Sequence, residues 1–137
     1  MIKTVTFDEL LEKYRYWTEI PDGILEPILK ENVATIIKNF IESNSFNDAA
    51  DNARLLLRVV DFLNQNQWQD ILSAFCNNNQ IYGSYACPGI FIELFKKSFK
   101  STGTVAPHWL WFRQQLDNGN FKYADTISLK NLIDSYS

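Results

Sequence analysis

The segment DAADNARLLLRVVDFLNQ, residues 48–65, carries the strongest helical pattern in the chain and decides the fold class. Its apolar side chains recur at intervals of three and four residues, at Ala49, Ala53, Leu56, Leu57, Val60 and Leu63. This is the spacing of one face of an α-helix. The pattern predicts a helix of about four turns, whose small alanines let a neighbouring helix approach closely.

The segments on either side of this helix continue the pattern. Upstream, the amphipathic stripe of ILEPILKENVATIIKNFIES predicts a helix at 26–43, with Pro27 in its first turn. The polar stretch SNSFND follows, in which Ser45 or Asn47 would cap the next helix. Downstream, WQDILSAFCNN predicts a fourth helix, and its short connection to the third predicts an antiparallel helical hairpin.

Further segments have helical spacing, and the helices predicted there cover residues 7–17, 88–100, 107–117 and 125–136. Thr6 and Glu9 form a capping-box spacing before the first of them. Pro88 and Pro107 are placed at first helical positions, and Gly119 ends the helix after Pro107. The stretch GNFKYAD is the one candidate for a short extended piece.

These elements predict an all-α fold of about seven helices in antiparallel pairs, with residues 1–137 in a single domain. A compact helical bundle and a short HEAT-like solenoid both satisfy the pattern. No residues return at a fixed period, which weakens the solenoid interpretation.

Composition bounds the class of protein. Apolar residues make up 46% of the chain and charged residues 21%, as in ordinary globular domains, whereas the aromatic content of 15% is high. No apolar run approaches the ~20 residues of a membrane span, and MIKTVTFDELL lacks the apolar core of a signal peptide. We therefore expect a cytoplasmic protein that has no membrane partner.

Charge is distributed unevenly along the chain. Residues 1–70 contain 12 acidic and 7 basic side chains, and residues 71–137 contain 4 acidic and 6 basic ones. A nucleic-acid-binding domain usually presents a strongly basic face. The formal net charge of −3 disfavours nucleic acid as the partner, while a local basic patch in the second half stays possible.

The segment LLLRVVDFLNQNQWQDILSAFCNNNQIYGS, followed by CPGIFIELFKK, resembles the paired helices of HEAT-type helical-repeat modules found in bacterial multidomain NTPase and defence proteins. The resemblance covers about residues 33–100 and rests on architecture and on the asparagine-rich end of the fourth helix. It implies a module that recognises another macromolecule and does not catalyse a reaction.

The residues that suggest chemistry are two cysteines and one histidine. If Pro88 begins a helix, Cys87 is its cap, where free amides and the helix dipole favour a thiolate. His108 is the only histidine available as its base. A small cysteine-dependent enzyme using Cys87 and His108 is therefore an alternative hypothesis, against the interpretation of both cysteines as structural thiols.

A metal site is the second chemical possibility. Cys76, Cys87 and His108 supply at most three ligands, whereas a structural zinc site needs four. Their spacings match none of the usual short zinc-binding motifs, so we predict neither a metal nor another cofactor.

The second half of the chain combines basic and aromatic side chains. The basic residues of this half are interspersed with aromatic side chains, a combination that can hold single-stranded nucleic acid; they are Lys96, Lys97, Lys100, Arg113 and Lys122. The same lysines also fit the solvated face of a helix, which is the interpretation we prefer. Nucleic-acid binding is kept as a further alternative.

The aromatic residues of HWLWFRQQL point to a protein partner. Trp109, Phe112 and Leu116 share one helical face, so Trp111 must point away from it. An off-face tryptophan near Arg113 has the composition of a protein-binding hot spot, and its alternative is burial against the terminal helix.

We therefore predict a non-enzymatic protein-interaction module, such as an adaptor, an inhibitor or an immunity-type protein. Its predicted partner-binding residues are Trp109, Trp111, Arg113, Lys96, Lys97 and Lys100. No oligomeric state follows from the sequence.

Overall fold

The computed structural model of the chain describes residues 21–119, 121 and 124–137. These residues form α-helices and one short 3-10 helix and contain no strand, which confirms the all-α prediction. The α-helices are α1 (Asp22–Glu31), α2 (Val33–Ile41), α3 (Phe46–Leu56), α4 (Gln65–Asn77), α5 (Asn79–Tyr82), α6 (Cys87–Thr102), α7 (Pro107–Asn118) and α8 (Ala124–Tyr136). The helix predicted at 7–17 lies outside the described residues, as does part of GNFKYAD.

The helix predicted at 26–43 is two helices, because Asn32 interrupts it. Asn32 has φ −117° and ψ 23°, and its Nδ2 donates to the carbonyl of Ile28 at 2.7 Å. Such side-chain bonds to the backbone compete with the helical ladder. Helix α1 also begins before the predicted start, so Pro27 lies inside it and not in its first turn.

The segment at residues 48–65 forms a shorter helix than its apolar stripe predicts. Helix α3 begins where Ser45 Oγ accepts from the backbone N–H of Asp48 at 3.1 Å, so Ser45 is the cap. It ends at Leu56, and Val60–Phe62 form the 3-10 helix. Val60 is nevertheless buried, so the stripe stays in the core after the backbone has left the α-helix.

Helix α4 begins three residues before the predicted start, because a capping box closes its first turn. The backbone N–H of Gln67 donates to Asn64 Oδ1 at 2.8 Å, and the backbone N–H of Asn64 donates to Gln67 Oε1 at 2.9 Å. At the other end, the Asn78 side-chain amide donates to the carbonyls of Ile41 and Ser43. These bonds tie the end of α4 to the end of α2.

The helices pack as a bundle in which α6 is central, against α3, α8 and the 3-10 helix. Helices α3 and α4 do not pack on each other as a hairpin, so that prediction is wrong; each packs on α2 instead. Helices α3 and α6 run in the same direction. Ser84, just before α6, donates to the carbonyl of Phe46 at the start of α3, and Lys97 donates to the carbonyl of Leu57 at its end.

The centre of the core is aromatic. The ring of Phe75 from α4 lies 4.7 Å from that of Phe91 in α6, 5.3 Å from Phe112 in α7 and 5.7 Å from Phe121, measured between centroids. Pairs at these distances add about 0.5–1.5 kcal/mol each beyond the burial of their area. The cluster joins three helices and the segment before α8.

None of the described helices is long and apolar enough to cross a membrane.

The short turn between α5 and α6 requires glycine at position 83. A Cβ there would lie 2.5 Å from the carbonyl oxygen of Asn79 and 3.1 Å from the ring of Phe46. We therefore expect Gly83→Ala to lower the free energy of unfolding by about 1–3 kcal/mol, as overpacking usually does. Chemical denaturation measures the change.

The matched control is Gly23→Ala, because a Cβ at this exposed position in α1 meets nothing within 4 Å. Alanine is the better helix former, so this variant should be unchanged or more stable by about 0.5–1 kcal/mol. Equal loss of stability in both variants would contradict the packing that we describe around Gly83.

Candidate functional site

Cys87 is a structural thiol in this fold. It is the first residue of α6, whose cap is Ala86, so the prediction that Cys87 itself is the cap is off by one residue. The side chain is completely buried. Burial raises the pKa of the thiol, and the hydrogen bond to Ser84 and the charge of Arg54 act in the opposite direction without reversing the shift. The thiolate expected from the helix dipole is therefore disfavoured.

His108 lies in the contact between α4 and α7. Its ring stacks on that of Trp68 with centroids 5.5 Å apart and an angle of 8° between the planes. The side chain is only 7% exposed, and neither ring nitrogen has a hydrogen-bond partner. The thiol of Cys87 is thus not bonded to His108, and the structure does not bring the two into the pair that a nucleophile and its base would form.

Cys76 is half-buried, and both cysteines are free thiols. Burial raises the pKa of Cys76 to about 11. Nowhere in the described part of the chain do three or more histidine, cysteine or acidic side chains converge as metal ligands would.

The two tryptophans of α7 have different environments. Trp109 was predicted at the partner-binding surface, but it is 1% exposed and its Nε1 donates to Ser98 Oγ at 3.2 Å inside the core. Trp109 is therefore unavailable to a partner. Trp111 points away from Trp109, as its spacing predicts, and lies half-buried against the edge of the core.

Arg113 connects α7 to α8. Its Nε and Nη2 donate to the two carboxylate oxygens of Asp134 at 2.7 and 3.0 Å, and Nη1 donates to Asp117, which Lys130 also contacts. The hydrogen bonds from Lys130 and Arg113 lower the pKa of Asp117, and the bonds from Arg113 lower that of Asp134. The guanidinium is thus held by the protein itself.

The three predicted lysines of α6 are exposed but have different surroundings. Lys96 pairs with Glu93 at 3.6 Å, and Lys97 donates to the carbonyl of Leu57 at 3.3 Å. Lys97 and Lys100 line a cleft against the end of α3, whereas Arg113 is bonded to α8. The predicted surface therefore does not form as one basic and aromatic patch.

The structure places a different group of side chains together. A cleft with a volume of about 450 Å³ lies between the start of α3 and the turn before α6. We call it the aromatic cleft; its lining residues are Phe46, Asn47, Ala50, Asp51, Arg54, Gly83, Ser84, Tyr85 and Ala86. Phe46 is 53% exposed and Tyr85 79% exposed, and Arg54 pairs with Asp51 at 3.0 Å. Two accessible aromatic rings and a charged pair thus line one cleft.

The walls of the aromatic cleft are fixed by local structure. Ser45 caps α3 and so sets the position of Phe46, whose ring lies close over Gly83. Ser84 is buried, and its Oγ donates to the Phe46 carbonyl at 3.2 Å. The two walls, 38 residues apart in sequence, are therefore joined by a hydrogen bond and by ring contact.

Sequence reasoning missed this cleft because both aromatic residues lie in stretches outside the predicted helices, SNSFND and GSYAC. The available signal was the presence of a large aromatic residue in each break, outside any helical stripe. Nothing in the sequence indicates that the two breaks meet.

No family model, curated protein or solved structure matches this chain. The resemblance to HEAT-type modules therefore stays a prediction.

We expect both cysteines to react slowly with iodoacetamide at neutral pH. Because the pKa of Cys76 is about 11 in place of 9.0, its thiolate fraction is lower on the order of a hundredfold, and Cys87 is inaccessible as well. Mass spectrometry of timed samples measures the rates, with the protein in denaturant as the control. Labelling of native Cys87 faster than a simple thiol would restore the cysteine-enzyme hypothesis.

We expect His108→Phe to remove part of the acid sensitivity of the fold. Burial lowers the pKa of His108 from 6.5, so below about pH 6.5 the unfolded chain binds a proton that the folded chain resists. The free energy of unfolding should therefore fall as the pH drops from 7 through about 6.5. The contribution of His108 to this fall should end below the pKa that His108 has in the folded protein. Phenylalanine keeps the stack on Trp68 without a titrating group.

Urea denaturation of both proteins between about pH 5 and pH 7 measures this difference, since most carboxylates stay ionised there. Phenylalanine also has no unpartnered ring nitrogens, so we expect the variant to be more stable throughout. Parallel pH dependences for the two proteins would contradict the assignment to His108.

Proposed function

We propose that this chain is a helical module that binds another protein through the aromatic cleft. The observation that carries the proposal is the position of Phe46 and Tyr85, two largely exposed aromatic side chains that line one cleft. Single exposed apolar residues are common on protein surfaces, whereas a group of them around a concavity indicates an interaction site.

The energetic reason lies in the area that these rings leave in water. Burying a phenylalanine side chain fully is worth about 1.5–3 kcal/mol. Tyrosine and arginine are enriched among the residues that dominate binding energy, and the cleft has Tyr85 and Arg54 beside Phe46. A partner that covers the cleft would gain from both rings.

The charged pair provides specificity. Arg54 and Asp51 are both substantially exposed, so their ion pair contributes little to folding. A partner with a carboxylate or a cation in register can pair with Arg54 or Asp51, whereas a like charge at the same place would be repelled. We therefore expect the partner to present an apolar side chain flanked by a charged one.

The cleft is already formed in the free protein. Its two walls are held by the cap of α3, the Ser84–Phe46 hydrogen bond and the contact at Gly83. Binding to preformed walls avoids the entropic cost of ordering a loop. An adaptor, an inhibitor and an immunity-type protein would all benefit from such a surface.

We expect Tyr85→Ala to weaken binding of the partner at least tenfold, because a central aromatic residue at an interface is worth about 2 kcal/mol or more. Its melting temperature should stay close to that of the wild type, because Tyr85 is largely exposed. The partner is first captured from native lysate at moderate salt. Its purified form is then titrated with each variant by calorimetry.

Tyr136→Ala is the matched control, since Tyr136 is a half-exposed tyrosine at the end of α8, outside the aromatic cleft. Trp111→Ala tests the C-terminal surface predicted from sequence. Binding that is lost in Trp111→Ala but kept in Tyr85→Ala would move the interface to α7. Failure to capture any stoichiometric protein would contradict the proposal itself.

A further inference from the structure

We propose that Asn118 is a site of spontaneous deamidation, and that its conversion to isoaspartate displaces Phe121 from the aromatic core. Asn118 is the last residue of α7, it is exposed to solvent, and Gly119 follows it. Among the asparagines of the chain, only Asn118 precedes a glycine. An asparagine side chain cyclises most readily onto a following glycine, because glycine has no Cβ to obstruct the approach of its backbone nitrogen.

The reaction consumes water and needs no other reagent. The backbone nitrogen of Gly119 attacks the side-chain carbonyl carbon of Asn118 and forms a C–N bond, which closes a cyclic succinimide. The side-chain amide nitrogen leaves as ammonia and carries away the proton of the Gly119 N–H. Water then adds to either ring carbonyl, and the C–N bond at that carbonyl breaks. One opening gives aspartate, and the other gives isoaspartate, whose main chain is longer by a methylene group.

The end of α7 controls how often the attack can occur. The N–H of Gly119 donates to the carbonyl of Gln115 at 3.1 Å, which holds the attacking nitrogen in the helical arrangement. The side-chain amide of Asn118 makes no hydrogen bond within residues 21–119, 121 and 124–137. The ends of helices fray and open with little free energy. The folded helix therefore slows the reaction, which proceeds when the last turn of α7 opens.

Packing requires glycine at position 119. A Cβ there would collide with the ring of Phe121. That ring lies 5.7 Å from the ring of Phe75 and 5.5 Å from the ring of Tyr82, measured between centroids. The close approach of Phe121 thus keeps a glycine directly after Asn118, and the reactive pair is part of the connection between α7 and α8.

The two products change the protein differently. Both add a carboxylate at the carboxyl end of α7, beside Asp117, where the helix dipole disfavours negative charge. Arg113 and Lys130 already bind Asp117, so they offset part of this repulsion. Isoaspartate also lengthens the main chain directly before Gly119, and the close contact with Phe121 has no room for such a shift. We therefore expect isoaspartate to disturb the core and aspartate to change mainly the surface charge.

The first test is incubation of the full chain at mildly alkaline pH for increasing times. Tandem mass spectrometry of the tryptic peptide of residues 114–122 assigns isoaspartate to its position. We expect it to accumulate at Asn118 several-fold faster than at Asn44, an exposed asparagine that precedes serine. The Asn118→Gln variant is the control, because glutamine keeps the amide but closes a larger and less favourable ring. Equal accumulation at Asn44 and Asn118, or none at Asn118, would overturn the site.

The second test separates the effect of the main chain from that of the charge. The isoaspartate fraction of the aged protein is isolated by ion exchange and compared with the Asn118→Asp variant, which has the same charge on a normal main chain. We expect the isoaspartate fraction to unfold at a lower urea concentration and to lose part of its near-ultraviolet circular dichroism, to which the core rings contribute. Equal midpoints and equal spectra would show that the longer main chain does not displace Phe121, and would overturn that part of the proposal.

Discussion

The structure depends on the burial of aromatic rings around Phe75. This one side chain contacts rings from α6, from α7 and from the segment before α8, so helices far apart in sequence share a single packing centre. A second group, Trp68, Phe95 and Trp109, extends the same core along α7. Large rings fill space with few rotatable bonds, which makes their relative placement specific. The high aromatic content of the chain is thus largely explained by its core.

The burial of aromatic rings in the core also explains why the predicted partner surface does not form as one patch. Helical spacing correctly separates the face of Trp109, Phe112 and Leu116 from Trp111, since periodicity is a local property. Which face a neighbouring helix covers is decided by tertiary packing, and here the core takes Trp109 completely. Arg113 is likewise used between α7 and α8. Composition alone does not distinguish a hot spot from an interhelical contact.

The helices that could be predicted are those whose ends are marked locally. Such local signals are Ser45 before α3, Pro107 at the start of α7 and the apolar residues of α6. The breaks at Asn32 and after Leu56 have no proline or glycine and depend on side-chain bonds or on packing. The aromatic cleft could not be predicted, because its two walls come from distant parts of the chain that meet only after folding.

The parallel arrangement of α3 and α6 gives the two ends of this helix pair opposite electrostatic surroundings. The aromatic cleft lies at both amino ends, where free N–H groups create positive potential, and the carbonyls at both carboxyl ends create negative potential. Lysines at the carboxyl ends are favourable for folding, and Lys97 demonstrates this by its bond to the carbonyl of Leu57. Their stabilising role explains why Lys97 and Lys100 lie there. The two ends of the helix pair therefore differ in role: the lysines at the carboxyl ends stabilise the fold, and the amino ends form the walls of the aromatic cleft.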